Sequence, residues 1–144
     1  MAKNRGQLSE LREGKELPEI TKTVTQRNIN LYAEASRDFN PVHIDEEFAK
    51  KTTLGGTIAH GMLILAYVSE MMTAAFGKRW LTSGKLDVRF KAPARPGETI
   101  TVSGKITKLA KNNRQTTINC AVLCSNGKGE QIITGEGILT TPEL

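Results

Sequence analysis

The sequence predicts an α+β domain in which a curved antiparallel sheet wraps one central, largely apolar helix. Three observations carry that expectation. Residues 61–76 are apolar almost all round, broken by Tyr67, Ser69, Glu70 and Thr73, and a helix with so narrow a polar stripe must be enclosed. Beyond Gly77 the apolar period changes to two, through successive strand-like runs at 83–91, 98–109, 114–124 and 130–140. The connections between those runs, Pro93-Ala94-Arg95-Pro96-Gly97, Lys111-Asn112-Asn113 and Ser125-Asn126-Gly127-Lys128-Gly129, are turn chemistry, and Asn-Gly between alternating runs is a strong hairpin signal.

In chain order, residues 1–17 are charged, non-periodic and punctuated by Gly6 and Gly14, and read as an irregular arm before a single domain at 18–144. The first strand is expected at 18–24, rich in β-branched residues, with Lys22 interrupting its apolar face. Thr25 suits the cap of a helix over 26–36, where Ile29, Leu31, Tyr32 and Ala35 recur mostly at helical spacing. Residues 39–58 read as loop with one helical turn at 46–51 before the Leu54-Gly55-Gly56-Thr57 break. A loop that long in a small domain is usually functional. Gly77 suits the C-cap of the central helix.

At 144 residues, with 38% hydrophobic and 24% charged residues, the chain can bury one core without metal or disulfide. The net charge of +5 comes from 20 basic and 15 acidic residues; it favours anionic partners in general, but the basic residues are scattered rather than blocked. Aromatics at 5% supply little for stacking bases, and the arm before Pro18 is too short for a helix-turn-helix unit, so no nucleic-acid partner is expected. The 61–76 helix falls short of a membrane span of about 20 residues, and the N-terminal stretch lacks the apolar core of a signal peptide, so a cytoplasmic protein without a membrane partner is expected. Cys120 and Cys124 sit too far apart along a strand to bridge and read as reduced thiols on one face. With two histidines and two cysteines, no metal-ligand set is expected.

The chemistry concentrates at Asp38 and His43, separated by Asn40-Pro41. Proline there bars one continuous helix, so the pair must sit at a helix end or on a loop, where side chains can converge. The run Ser-Arg-Asp-Phe-Asn-Pro-Val-His-Ile-Asp at 36–45, followed by Ala59-His60-Gly61-Met62, resembles the hydratase motif of the MaoC-like, (R)-specific enoyl-CoA hydratases. Arg89-Phe90-Lys91-Ala92-Pro93-Ala94-Arg95-Pro96-Gly97-Glu98-Thr99 is similar to the same family's strand-turn-strand signature. One departure stands out: the family usually has glycine where this chain has Arg37.

The resemblance implies a hot-dog fold, a homodimer or higher homo-oligomer, and reversible addition of water to a trans-2-enoyl thioester of coenzyme A or acyl carrier protein, giving the (R)-3-hydroxyacyl thioester. Coenzyme A is then part of the substrate and no further cofactor is called for. The residue types suit the chemistry: His43 takes the proton of water and Asp38 orients the water and returns a proton, roles that can be exchanged. The backbone N–H of Gly61, in the first turn of the apolar helix, is a donor for charge developing on the thioester oxygen. Asn40 supports the loop, Ser69 holds the position of the family's acyl-pocket serine, and Lys78, Lys91 and Arg95 are candidates for coenzyme A phosphates. His60 reads as support for the helix start, and Tyr67, Met71 and Met72 as core. Two alternatives compete with this reading: a hot-dog thioesterase using Glu70, and a non-catalytic acyl-CoA-binding protein.

Overall fold

Four antiparallel pairings tie five strands into one open sheet of order β1-β3-β4-β5-β2. The computed structural model describes residues 11–142. Its elements are β1 (Ile20–Thr23), α1 (Gln26–Ser36), α2 (Pro41–Ile44), α3 (Glu46–Lys50), α4 (Gly61–Phe76), α5 (Lys78–Ser83), β2 (Lys85–Phe90), β3 (Thr99–Asn112), β4 (Gln115–Ser125) and β5 (Gln131–Pro142). The sheet wraps α4, the arrangement of the hot-dog fold.

The core follows from the two periodicities meeting. From α4, Ile64, Val68, Met71, Met72 and Phe76 are buried, and from the sheet so are Ile100, Val102, Ile106, Ile118, Cys120, Val122, Ile133 and Leu139. In β4 burial alternates along Thr116, Ile118, Cys120, Val122 and Cys124, the signature of a strand with one face packed and one free. Each fully buried aliphatic or Met side chain contributes about 1.5–3 kcal/mol, so this seam is the main source of stability. A register shift at Ile106/Lys108 bends β3, as bulges do, and helps the sheet curve. The helix comes so close that a Cβ on Gly104 would lie 2.8 Å from Met71 Cε.

Three local differences from the sequence reading have physical reasons. Residues 41–44, expected as loop, form the short helix α2, because Asn40 caps it through Val42 N at 3.2 Å and Pro41 occupies its first turn. Residues 78–83, expected mostly as a link to the next strand, form α5, seated by buried Trp80. The β3–β4 turn is Asn113-Arg114, both at positive φ (47° and 66°), two residues beyond the Lys111 at which the link was expected to begin, because strand pairing continues to Asn112↔Gln115. Of the arm, residues 11–17 lie along β3: Leu17 N donates to Gly104 O at 2.8 Å, Gly14 N to Ile106 O at 2.8 Å, and Leu17 is buried. Residues 1–10 lie outside the described part of the chain.

Candidate active site

Asp38 follows the end of α1. That helix starts where Thr25 Oγ1 accepts from Asn28 N at 3.1 Å and ends at Arg37, in the left-handed conformation (φ 63°, ψ 21°). The reversal turns the chain so that Asp38 Oδ1 accepts from Asn40 N at 3.2 Å. One carboxylate oxygen therefore builds the turn, and the other, Oδ2, faces His43 Nε2 at 4.0 Å. Asn40 is structural in the same turn, as the cap of α2.

His43 lies in the last turn of α2. Its Nδ1 is 2.8 Å from the carbonyl of Ile58; a carbonyl only accepts, so Nδ1 carries a proton, and in the neutral ring Nε2 presents its lone pair toward Asp38. The His43 side chain is 12% exposed and that of Asp38 54%, which leaves the pair open to solvent from the carboxylate side. A gap of 4.0 Å is too long for a direct hydrogen bond, and a water hydrogen-bonded to both atoms would stand about 2.8 Å from each.

His60 completes the cluster. Its side chain makes no cap bond to α4; its Nε2 donates instead to the Asp38 carbonyl at 3.0 Å, and its ring stacks on His43 with centroids 3.8 Å apart and planes 25° from parallel. Asp38, His43 and His60 bring donor atoms within 4.8 Å of one another. His43 Nδ1 and His60 Nε2 are committed to carbonyls, which leaves His43 Nε2 and His60 Nδ1 as the uncommitted ring nitrogens of the cluster.

Gly61 opens α4, and its N–H belongs to the first turn, where no intrahelical carbonyl is available. It borders a cavity of about 370 Å³ lined also by Leu54, Ile58, Ile64, Phe90, Lys91 and Ile132. Ile58 links the two features, since its side of the loop lines the cavity while its carbonyl holds His43. Of the basic candidates, Lys91 lines this cavity; Arg95 lines a separate one of about 480 Å³ with Gln26, Glu46 and Thr57; and Lys78 is exposed at the start of α5. Ser69 Oγ accepts from Trp80 Nε1 at 3.1 Å, which commits it to seating α5. Glu70 pairs with Lys22 of β1 at 2.9 Å and is half exposed, which commits it to holding α4 to β1.

The sequence reading missed a brace behind His43. Gln26 Nε2 donates to the His43 carbonyl at 2.7 Å, and Gln26 Oε1 accepts from buried Thr57 Oγ1 at 2.7 Å. Thr57 N in turn donates to Glu46 Oε2 at 3.0 Å, and hydrogen bonding from Thr57, the backbone N–H first, holds the Glu46 carboxyl below its ordinary value, with Lys50 and Arg95 adding smaller contributions. The loop is pinned further by Ile58 N to Val42 O and Ala59 N to Ala94 O. No helix among the described residues is long and apolar enough to cross a membrane.

The chain is similar to known proteins along most of its length. The family model for the MaoC like domain matches residues 10–126. The chain is 32% identical over 127 residues to an (R)-specific enoyl-CoA hydratase of Rhodospirillum rubrum, covering 85% of this chain and 83% of that protein. It is 29% identical over 128 residues to a 3-hydroxybutyryl-CoA dehydratase of Methylorubrum extorquens, covering 86% and 77%. The unliganded R-hydratase of Pseudomonas aeruginosa superposes with a TM-score of 0.80 at 28% identity, over 94% of this chain and 85% of that one. A family model spanning most of the chain, on a fold and motif that match it, means that the chain belongs to the MaoC-like dehydratase family.

Proposed function

We propose that the protein is an (R)-specific enoyl-CoA hydratase, and in the reverse direction a 3-hydroxyacyl-CoA dehydratase. The observation that carries the reading is the His43 Nε2 lone pair, freed by the Nδ1–H bond to Ile58, facing Asp38 Oδ2 across 4.0 Å. The names of the relatives support the same reaction. Water bound between the two groups loses a proton to one of them as its oxygen bonds to C3 of the enoyl thioester. The C2=C3 π pair moves toward the carbonyl, and the proton taken from water is returned to C2, so that both groups end in their starting protonation states. Charge that collects on the thioester oxygen is met by the Gly61 N–H and the positive end of α4. The reaction is redox-neutral, and the reading needs no cofactor beyond the carrier attached to the substrate.

The substrate is an acyl thioester whose acyl part enters the apolar cavity beside Gly61 and whose polar carrier stays outside, near Lys91. The working unit is a cytoplasmic homodimer: among the described residues β1 and β2 each leave one edge unpaired, and a second copy covers such edges.

Loss of enoyl absorbance from crotonyl-CoA, with chiral analysis of the product, tests the reading. Wild type forms the (R)-alcohol, and Asp38→Asn and His43→Gln each lower kcat by about 10²–10⁴-fold with melting temperatures near wild type. Release of free thiol, undiminished in Asp38→Asn, would replace the hydratase with a thioesterase.

A further inference from the structure

We propose that His60 is a positioning residue: a single ring that fixes Asp38 through its main chain and His43 through its face. The inference rests on the hydratase reading and assigns His60 no contact with substrate.

The position is unusual for a histidine. His60 is the N-cap residue of α4, where Ser, Thr, Asp or Asn would satisfy a backbone N–H, yet its side chain makes no cap bond. It is 3% exposed, and its Nδ1 is buried without a hydrogen-bond partner among the described residues. A buried lone pair without a donor is unfavourable, so helix capping does not account for the ring. What the ring does achieve is contact with both groups of the reacting pair. Its Nε2–H holds the Asp38 carbonyl at 3.0 Å, immediately after the left-handed turn at Arg37. With Asp38 Oδ1 tied to Asn40 N, this leaves Oδ2 in one direction.

The same ring lies against His43 at 3.8 Å. The bond from His43 Nδ1 to Ile58 holds that imidazole at a second point besides its Cβ, and the ring can still rock about the line joining the two. The stack fixes its plane, and with it the direction of Nε2. Tyr32 also lies against His60, with centroids 4.8 Å apart and planes tilted by 55°. Displacement of a reacting group by about 1 Å costs on the order of 10²-fold in rate, so one ring that sets both directions has leverage on turnover without touching the thioester.

The test uses the full chain. It contains two histidines, so its 15N imidazole NMR spectrum holds two sets of ring signals, and His60→Phe assigns them. At a pH where both rings are neutral, the wild type is expected to show opposite tautomers, Nδ1–H for His43 and Nε2–H for His60. The same tautomer in both rings, or averaging in either, overturns the proposal even if the variants fail to fold. His60→Phe keeps a ring and loses the donor; His60→Gln keeps a donor and loses the ring. Each is expected to lower kcat by about 10–100-fold, with KM for crotonyl-CoA changed by less than about threefold. A kcat within about twofold of wild type in either folded variant, or a loss confined to KM, also overturns it. If the wild type shows opposite tautomers but hydrates no enoyl thioester, the hydratase reading fails and not the contacts of His60; normal hydration with indifferent variants sinks this inference alone.

Discussion

Arg37 occupies a conformation that an L side chain adopts only at a cost, φ 63° and ψ 21° at the end of α1. The left-handed region places Cβ against the following carbonyl, and glycine escapes that contact, which is why glycine is the common residue at such helix ends. The family's usual glycine at this position therefore has a backbone reason. Arg37→Gly is expected to stabilise the protein by about 1 kcal/mol, less what glycine gains in the unfolded chain, raising Tm by about 2–3 °C; a fall in Tm would show that the exposed arginine makes contacts worth more than the strain. At this scale the Asp38–His43 pair was legible because both residues lie in one short motif. Gln26, Thr57 and Ile58 were not: Gln26 reaches His43 across 17 positions and Thr57 across 31, and the group that fixes the His43 tautomer is a backbone carbonyl, which any residue at 58 would supply.

Among the elements, α1 and α4 could be read from periodicity because they run 11 and 16 residues, long enough for a helical repeat to show. The four-residue α2 and six-residue α5 are too short for that signal and depend on a cap and on one buried indole. Lys22, which seemed to spoil the apolar face of β1, pairs with the half-exposed Glu70 of α4 at 2.9 Å and lies 5.6 Å from the Tyr67 ring centroid. The loop between α3 and α4 is held by an element-level contact, Glu46 Oε2 accepting from Thr57 N. Because the folded carboxyl titrates below its ordinary range, its stabilising effect is complete above the ordinary glutamate range and is lost as pH falls through and below it. The Tm difference between wild type and Glu46→Gln should accordingly be larger at pH 7 than at pH 3, and a difference that grows on acidification would reverse the assigned sign.

For the molecule as a whole, the enclosure of α4 was readable because the long helical period that ends near Gly77 gives way to four strands of period two, and both need the same buried volume. What could not be read is how closely they approach: Gly104 and Gly137 bring the sheet within contact of Met71 and Met72, a matter of shape rather than period. The two cysteines report on that seam. Cys120 and Cys124 are free, fully buried and on the α4-facing side of β4. Burial pushes both thiols up to about 12, with the Glu136 carboxylate adding to the effect at Cys120. At pH 8 a thiol of that acidity is about one part in ten thousand thiolate, and the thiolate is the reactive form. Native protein should therefore give no rapid titre with an aromatic disulfide reagent and both thiols after unfolding, with a native labelling rate that rises with denaturant as global opening does. Rapid modification of either cysteine in the native protein would mean that α4 separates from β4 without global unfolding, and the seam would then be a mobile contact rather than the cooperative centre of the fold.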